Sequence, residues 1–319
     1  MSSRVLIVLA LLATTTMAAR AAPDSMTFGT HTIVSPAQRV GYIMTADTKR
    51  VARLVAVDLV TGKQRWSSST AVKPIVAQGN RLVALDNAGN VIVLDTKTGK
   101  PAKPCGAIAG AKAPFLNGLG LHQSAWGFDD GAALYLVWLR MTHHVGGAAP
   151  SPEIEKSSRT RTETTWKLDL SACTATVATP TIPDMKLTID ATTDVLTPGG
   201  KLARFTRDAN AGTFTFVPAG GGQAIDLTQG DRARYAVSVS IDRRFAMCGD
   251  PSNANLAVFD LQTGAVSRPK LPGFVNKWIV VGARFVVWTG GLTAYDPKTA
   301  KPLWTFGERN TSYTGPYPP

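Results

Sequence analysis

Cysteine, histidine and long apolar runs are all scarce in this chain of 319 residues, which has three cysteines and four histidines. Cys105, Cys173 and Cys248 show no metal-ligand spacing, so zinc-finger and zinc-ribbon chemistry is excluded. An odd count leaves at least one thiol unpaired, even in an oxidising compartment. Two readings stay open: one bridge of unreadable connectivity, or three small buried apolar residues. Beyond residue 22 no stretch approaches the roughly 18 apolar residues of a membrane helix. There is no run of five like charges and no basic helix, which argues against specific nucleic-acid recognition. Gly-x-Ser-x-Gly, phosphate-cradling glycine loops and His-Glu-x-x-His are also missing, and with them the local signatures of serine hydrolases, nucleotide enzymes and zinc peptidases.

What is present begins with a leader. "MSSR" gives a basic start, "VLIVLALLA" (Val5 to Ala13) an apolar run, and Ala19-Arg20-Ala21 a small-residue cleavage pattern. Residues 1–22 therefore read as a signal peptide, and the mature protein as exported, periplasmic or secreted, and soluble. No cysteine near the cleavage site offers a lipid anchor. The leader carries Arg4 and Arg20 and no acid, so the formal charge of +12 falls to +10 on its removal. These basic residues are scattered and read as a solvated surface, with a protein or an anionic surface ligand as the expected kind of partner.

Four segments end an apolar alternating run on an aspartate and continue into a Thr-Gly-like turn: "LVAVDLVTGK" (Asp58), "VIVLDTKTGK" (Asp95), "LAVFDLQTGA" (Asp260) and "LTAYDPKTAK" (Asp296). A fifth, "TWKLDLSACT" (Asp169), keeps the strand and the aspartate but loses the Thr-Gly. Asp58 to Asp95 is 37 residues and Asp260 to Asp296 is 36, the period of a solenoid, array or propeller. Within each unit, runs of four to eight Val-, Ile- and aromatic-rich residues alternate with Gly, Asn, Asp and Pro turns. Four short antiparallel strands per unit describe a propeller blade. The aspartate carboxylate can accept from amides two and three residues on, and the glycine can take the left-handed conformation. The expected fold is all-β: a single β-propeller of four-stranded antiparallel blades over residues 23–308, with a disordered tail at 309–319. Six blades are favoured: Thr27 to Ser69, Ala71 to Pro104, Phe115 to Thr179, Met185 to Thr228, Arg232 to Arg268 and Gly273 to Phe306. The alternative adds a seventh, split between Met26–Val34 and the C-terminus.

"AVDLVTGKQRW" and "AYDPKTAKPLW" place Trp66 and Trp304 eight residues after their aspartates. This resembles the tryptophan-docking pattern of PQQ-like repeat (quinoprotein-like) β-propellers, a superfamily of quinoprotein dehydrogenases and a non-enzymatic outer-membrane assembly scaffold. "RYAVSVSIDRRFAMCG" before "LAVFDLQTGAV" also resembles the broader WD40/YVTN type. The resemblance implies that Asp58, Asp95, Asp260 and Asp296 are structural turn residues, and that Trp66 and Trp304 dock blade to blade. Quinone-binding members are longer and cover PQQ with a disulfide between adjacent cysteines. This chain has no Cys-Cys, so neither PQQ nor another cofactor is expected.

The irregular unit is the third. After "LYLVWLRMTHHV" the segment Gly146 to Thr164, "GGAAPSPEIEKSSRTRTET", reads as a long loop. Blades are interchangeable in pattern, so specificity is expected where one departs from it. His143, His144, Lys156, Arg159 and Arg161 are the candidate interaction residues. His122 with one of that histidine pair and Asp129 or Asp130 could bind a metal only by convergence that no spacing supports; "FDDG" reads more simply as a hairpin turn. No catalytic and no metal-ligating residue is assigned. The functional expectation is a non-catalytic binding or scaffold module. Its alternative is a periplasmic propeller enzyme, a lyase, lactonase or oxidoreductase, with a site at the central channel mouth.

Overall fold

The computed structural model describes residues 24–29, 31–46, 52–112, 121–130, 132–143, 159–181, 192–208, 210–211, 213–227, 236–249, 256–273, 275, 277–288 and 291–307. The leader and the tail lie outside them. The described residues form strands and turns and no helix.

The first sheet holds β1 (Met26–Gly29), β2 (Thr32–Ser35), β3 (Val40–Ala46), β4 (Ala52–Asp58) and β5 (Gln64–Ser68). The second holds β6 (Lys73–Gln78), β7 (Arg81–Leu85), β8 (Asn90–Asp95) and β9 (Ala107–Lys112). The third holds β10 (Leu121–Asp129), β11 (Leu134–His143), β12 (Arg159–Asp169) and β13 (Thr174–Val177). The fourth holds β14 (Thr192–Leu196), β15 (Leu202–Asp208), β16 (Thr213–Val217) and β17 (Ile225–Asp226). The fifth holds β18 (Ala236–Val239), β19 (Phe245–Gly249), β20 (Ala257–Asp260) and β21 (Val266–Ser267). The sixth holds β22 (Trp278–Val281), β23 (Arg284–Trp288), β24 (Leu292–Tyr295) and β25 (Pro302–Phe306). Every sheet is an antiparallel meander in chain order; one parallel bridge, Thr174 to Ala109, links the second to the third.

The repeated aspartates do what their spacing predicts. Asp58 Oδ1 accepts from the amides of Val60 and Thr61 at 2.9 and 2.8 Å. Asp95 accepts from Lys97 and Thr98 at 3.0 and 2.9 Å, and Asp260 from Gln262 and Thr263 at 2.8 and 3.1 Å. Asp296 accepts from Lys298 at 2.7 Å. Four residues after each aspartate the chain turns left-handed: Gly62, Gly99, Gly264 and Ala300 have φ of 72°, 68°, 77° and 59°. At Ala300 that conformation costs about 1 kcal/mol relative to glycine. The same place in the fifth turn, Asp169, is taken by Cys173 at φ 59°.

The sheets pack face to face through separate apolar cores. Val57, Leu59, Ile279 and Val286 join the sixth sheet to the first, and Tyr42, Leu54, Leu82 and Leu94 join the first to the second. Val83, Val93, Leu136 and Leu168 join the second to the third. Phe205, Phe216, Phe259 and Leu261 join the fourth to the fifth, and Met247, Val258 and Trp278 the fifth to the sixth. Between the third and fourth sheets no such shared core is found among the described residues.

Two expectations about the first sheet and one about the third are corrected. The first sheet has five strands, since β1 adds inside β2. Met26–Val34 therefore belongs to it: Met26 pairs with Val34 and Thr27 with Ile33. That pairing removes the segment from the seventh blade of the alternative reading. Among the described residues the sixth sheet meets the first by packing, and no strand pairing joins them. In the third sheet, Arg159 to Thr164 is strand and not loop, because Thr alternates with charged residues at the two-residue period of a strand. Residues 144–158 lie outside the described residues.

Candidate functional site at the inner strands

The docking tryptophans lie between neighbouring sheets. Trp66 on β5 is 8 % exposed, and its indole N–H donates to the Thr96 carbonyl at 2.8 Å. It stacks so closely on the second sheet's turn that a Cβ built on Gly99 would lie 2.4 Å from the ring. Trp304 on β25 covers Gly62 in the same way, at 2.3 Å from such a Cβ, and so fastens the last sheet to the first. Glycine is required twice over at both turns, for its φ and for the absent side chain. Trp304 is only partly buried, less than expected, and its enclosed N–H has no partner among the described residues.

The next junction has no tryptophan. Lys103 stands at that offset, and Cys105 is disulfide-bonded to Cys173 in the third sheet's turn. The Ala109 amide donates to the Cys173 carbonyl at 3.0 Å beside it. A covalent bond thus occupies the place where Trp66 and Trp304 use stacking. Cys248 is free and buried, and burial pushes its thiol up to about 12. At the fourth-to-fifth junction Pro218 and Ile225 cover Gly264.

The first strand of a propeller blade lines the central channel. Here β2, β6 and β10 are such strands in the first three sheets, and β1 lies against β6 and β10. The segment before β1 is tied to the second sheet. Ser25 Oγ donates to the Ala77 carbonyl at 3.0 Å and accepts from its amide at 2.6 Å, while Asp24 accepts from the Gly79 amide at 2.6 Å. At the other end of β1, Gly29 lies under Trp288 of the sixth sheet. The N-terminal strand therefore touches the second, third and sixth sheets from the inner edge of the first.

Two basic side chains, one buried and one half-buried, lie at one end of these inner strands. Lys73 opens β6 and is 3 % exposed. His31 immediately precedes β2, and its carbonyl accepts from the Met44 amide at 3.0 Å. Burial pulls the Lys73 ammonium down to about 8. Burial, helped by the charge of Lys73, holds the His31 imidazolium down to about 4. The sequence reading missed both; the signal was a lysine inside the apolar run "AVKPIVA".

The expected interaction residues fall at the corresponding end of the third sheet. His143 ends β11 and pairs in register with Arg159, which opens β12, and Arg161 pairs with Met141. His144 and Lys156 lie outside the described residues. His122 and Asp129 sit near opposite ends of β10, so the strand itself holds them too far apart to share an ion. Asp130 accepts from the amides of Ala132 and Ala133 at 2.9 and 2.8 Å, a hairpin cap as "FDDG" suggests.

Successive four-stranded meanders define a β-propeller, and its Asp-capped turns and tryptophans docked on the next sheet's glycine resemble the PQQ-like repeat. Residues 14–132 match the family described as outer membrane protein assembly factor BamB. Among curated proteins none matches the sequence. Solved structures that align include BamB from Moraxella catarrhalis at 14 % identity, over 82 % of this chain and 80 % of that one, with a TM-score of 0.27. The Cps50 (Swd1) β-propeller domain of Myceliophteria thermophila aligns at 15 % identity over 89 % and 99 %, TM-score 0.31. The computationally designed Ika8 protein aligns at 12 % over 91 % and 88 %, TM-score 0.32. The fold assignment rests on the strand pairing and docking contacts of this chain.

Proposed function

We propose that this protein is an exported β-propeller that acts as a binding or scaffold module, and that its partner engages the long end of the third sheet. The observation that carries this reading is the length of β10, β11 and β12, at 9, 10 and 11 residues, against seven or fewer for every other strand. A sheet lengthened at one end presents His143, Arg159 and Arg161 on paired backbone, where a partner meets positions held by a ladder. The match of residues 14–132 to an assembly-factor family and the leader-like residues 1–22 support export and a scaffold role. Three basic residues suit an acidic protein surface, and no helix among the described residues is long and apolar enough to cross a membrane. The enzyme alternative needs convergent acid–base groups at the channel mouth.

The test is site-specific photo-crosslinking in the native host. A crosslinker at position 161 should capture one envelope protein, and one at position 79, at the other end of the second sheet, should not. Arg159→Glu with Arg161→Glu should abolish the adduct and leave the melting temperature unchanged. Equal capture from both positions, or an adduct indifferent to the charge reversal, overturns the assignment. A signal-sequence reporter fused to residues 1–22 that stays in the cytoplasm would remove export.

A further inference from the structure

The inner strands of the first two sheets bury a positive charge that no described residue balances. The Lys73 ammonium has no hydrogen bond and no ion pair among the described residues, although the side chain is almost wholly enclosed. His31 Nδ1 is enclosed and has no partner among the described residues, and the same holds for the hydroxyls of Thr27 and Thr32 on the adjoining β1 and β2. Val72, the neighbour of Lys73, packs against Met44 and Ala52, and Met44 is bonded to His31, so these groups share one end of the fold. Buried polar atoms are nearly always paired, and a buried charge is paired or bound to something. By contrast, Arg65 reaches Asp58 at 2.7 Å and Arg204 reaches Asp194 at 2.7 Å, both near the surface. An enclosed ammonium held without a counterion is strongly unfavourable for the fold alone. Perturbed basic groups gathered in one place are the mark of a site.

We propose that Lys73 and His31 form a binding site for a single carboxylate group at this end of the inner strands. The charge count selects the ligand. At neutral pH His31 is neutral and Lys73 carries one positive charge, so a monovalent carboxylate closes the balance while a phosphate dianion leaves a buried surplus. The ammonium is a compact donor with three hydrogens and takes one carboxylate oxygen. His31, in the tautomer with hydrogen on Nδ1, donates to the other. The carboxylate belongs either to a small acid or to an acidic side chain inserted by a protein partner. The site stands whether or not the third sheet recruits a partner, since it shares no residue with it.

The experiment follows the His31 ring by NMR, and the melting temperature, while the protein is titrated with acetate, with inorganic phosphate and with a glutamate-rich peptide. Acetate should shift the His31 signals saturably and raise the melting temperature, and phosphate should do less of both. Lys73→Met should weaken the carboxylate response about tenfold or more, as loss of one partner of a buried charge pair does. The same variant should melt higher than the parent without ligand, because the unbalanced charge is gone. Lys73→Gln, which keeps a polar tip, should lose the response as well and guards against a packing artefact in the first variant. If the peptide binds about tenfold tighter than acetate, the carboxylate comes from a polypeptide; if the two match, it comes from a small acid. No saturable His31 response to either carboxylate, a preference for phosphate, or an unchanged response in both Lys73 variants overturns the proposal.

Discussion

Asp58 shows how much one side chain does in this architecture. One carboxylate oxygen holds the turn through two amides, and the other takes the Arg65 guanidinium at 2.7 Å. Partial burial raises its pKa, but the Arg65, Thr61 and Val60 hydrogen bonds outweigh that and bring it down to about 2. A carboxylate with a depressed folded-state pKa adds stability above its unfolded value. That stability is lost as the pH falls, here between about 4 and about 2. Asp58→Ala should cost roughly 1 to 2 kcal/mol in urea unfolding at neutral pH. Asp58→Asn, which keeps an acceptor for the two amides, should cost less and should flatten the acid limb of the stability profile. Equal losses in the two variants would mean that the ion pair, and not the turn, is what matters. This aspartate was legible in the sequence because its chemistry is local: acceptor, amides and left-handed residue lie within five positions. Lys73 was not, because the burial of a lysine depends on which strands surround it, and β1, β2 and β6 come together only in the fold.

At the scale of the element, the turn and the strand that covers it form one unit. Gly99 and Gly79 have similar backbones, at φ 68° and 55°, but a Cβ at Gly99 meets Trp66 and a Cβ at Gly79 meets nothing within 4 Å. Gly79→Ala should therefore cost only the left-handed penalty, about 1 kcal/mol. Gly99→Ala should cost that plus about 1 to 3 kcal/mol for overpacking, and should red-shift Trp66 emission as the ring is pushed outward. Identical losses and identical spectra would show that the docking contact is incidental. Periodicity marked these elements where the repeat was kept and misled where charge obscured it. Arg159 to Thr164 looked like loop because its neighbours are Gly, Pro and Ser, yet its Thr–charge alternation has the two-residue period of a strand. The fourth sheet had no Asp-x-x-Thr-Gly to mark it. Its turn between β16 and β17 is built from Pro218 and glycines, and Asp208 caps instead the turn between β15 and β16, from the amides of Asn210 and Ala211.

At the scale of the whole molecule, the junctions between sheets are fastened by unlike means, and this decides where the ring is strong. Trp66 and Trp304 clamp two junctions by stacking, and Cys105–Cys173 clamps the next by a covalent bond across 68 residues of sequence. The sequence left open whether these cysteines pair. Only the alignment of Cys173 with Gly62 and Gly99 in the fold shows that the bridge replaces a docking contact. A loop of that length, closed in the unfolded chain, is worth about 2 to 4 kcal/mol. Because that stabilisation acts on a junction and not inside one sheet, its loss should loosen the contact between the second and third sheets before either sheet melts. Cys105→Ser with Cys173→Ser should lower the unfolding free energy by that amount. In hydrogen exchange it should raise the rates of Ala109 and of β13 first, while the amides of β7 and β19 keep their protection. The third sheet lacks a shared core with the fourth among the described residues, so its ties there are to the second sheet, through the shared apolar core and this disulfide. Uniform acceleration of exchange across all sheets would instead make the bridge a general constraint on the unfolded chain, with no special part in holding the third sheet, and with it the long end of β10 to β12, in place.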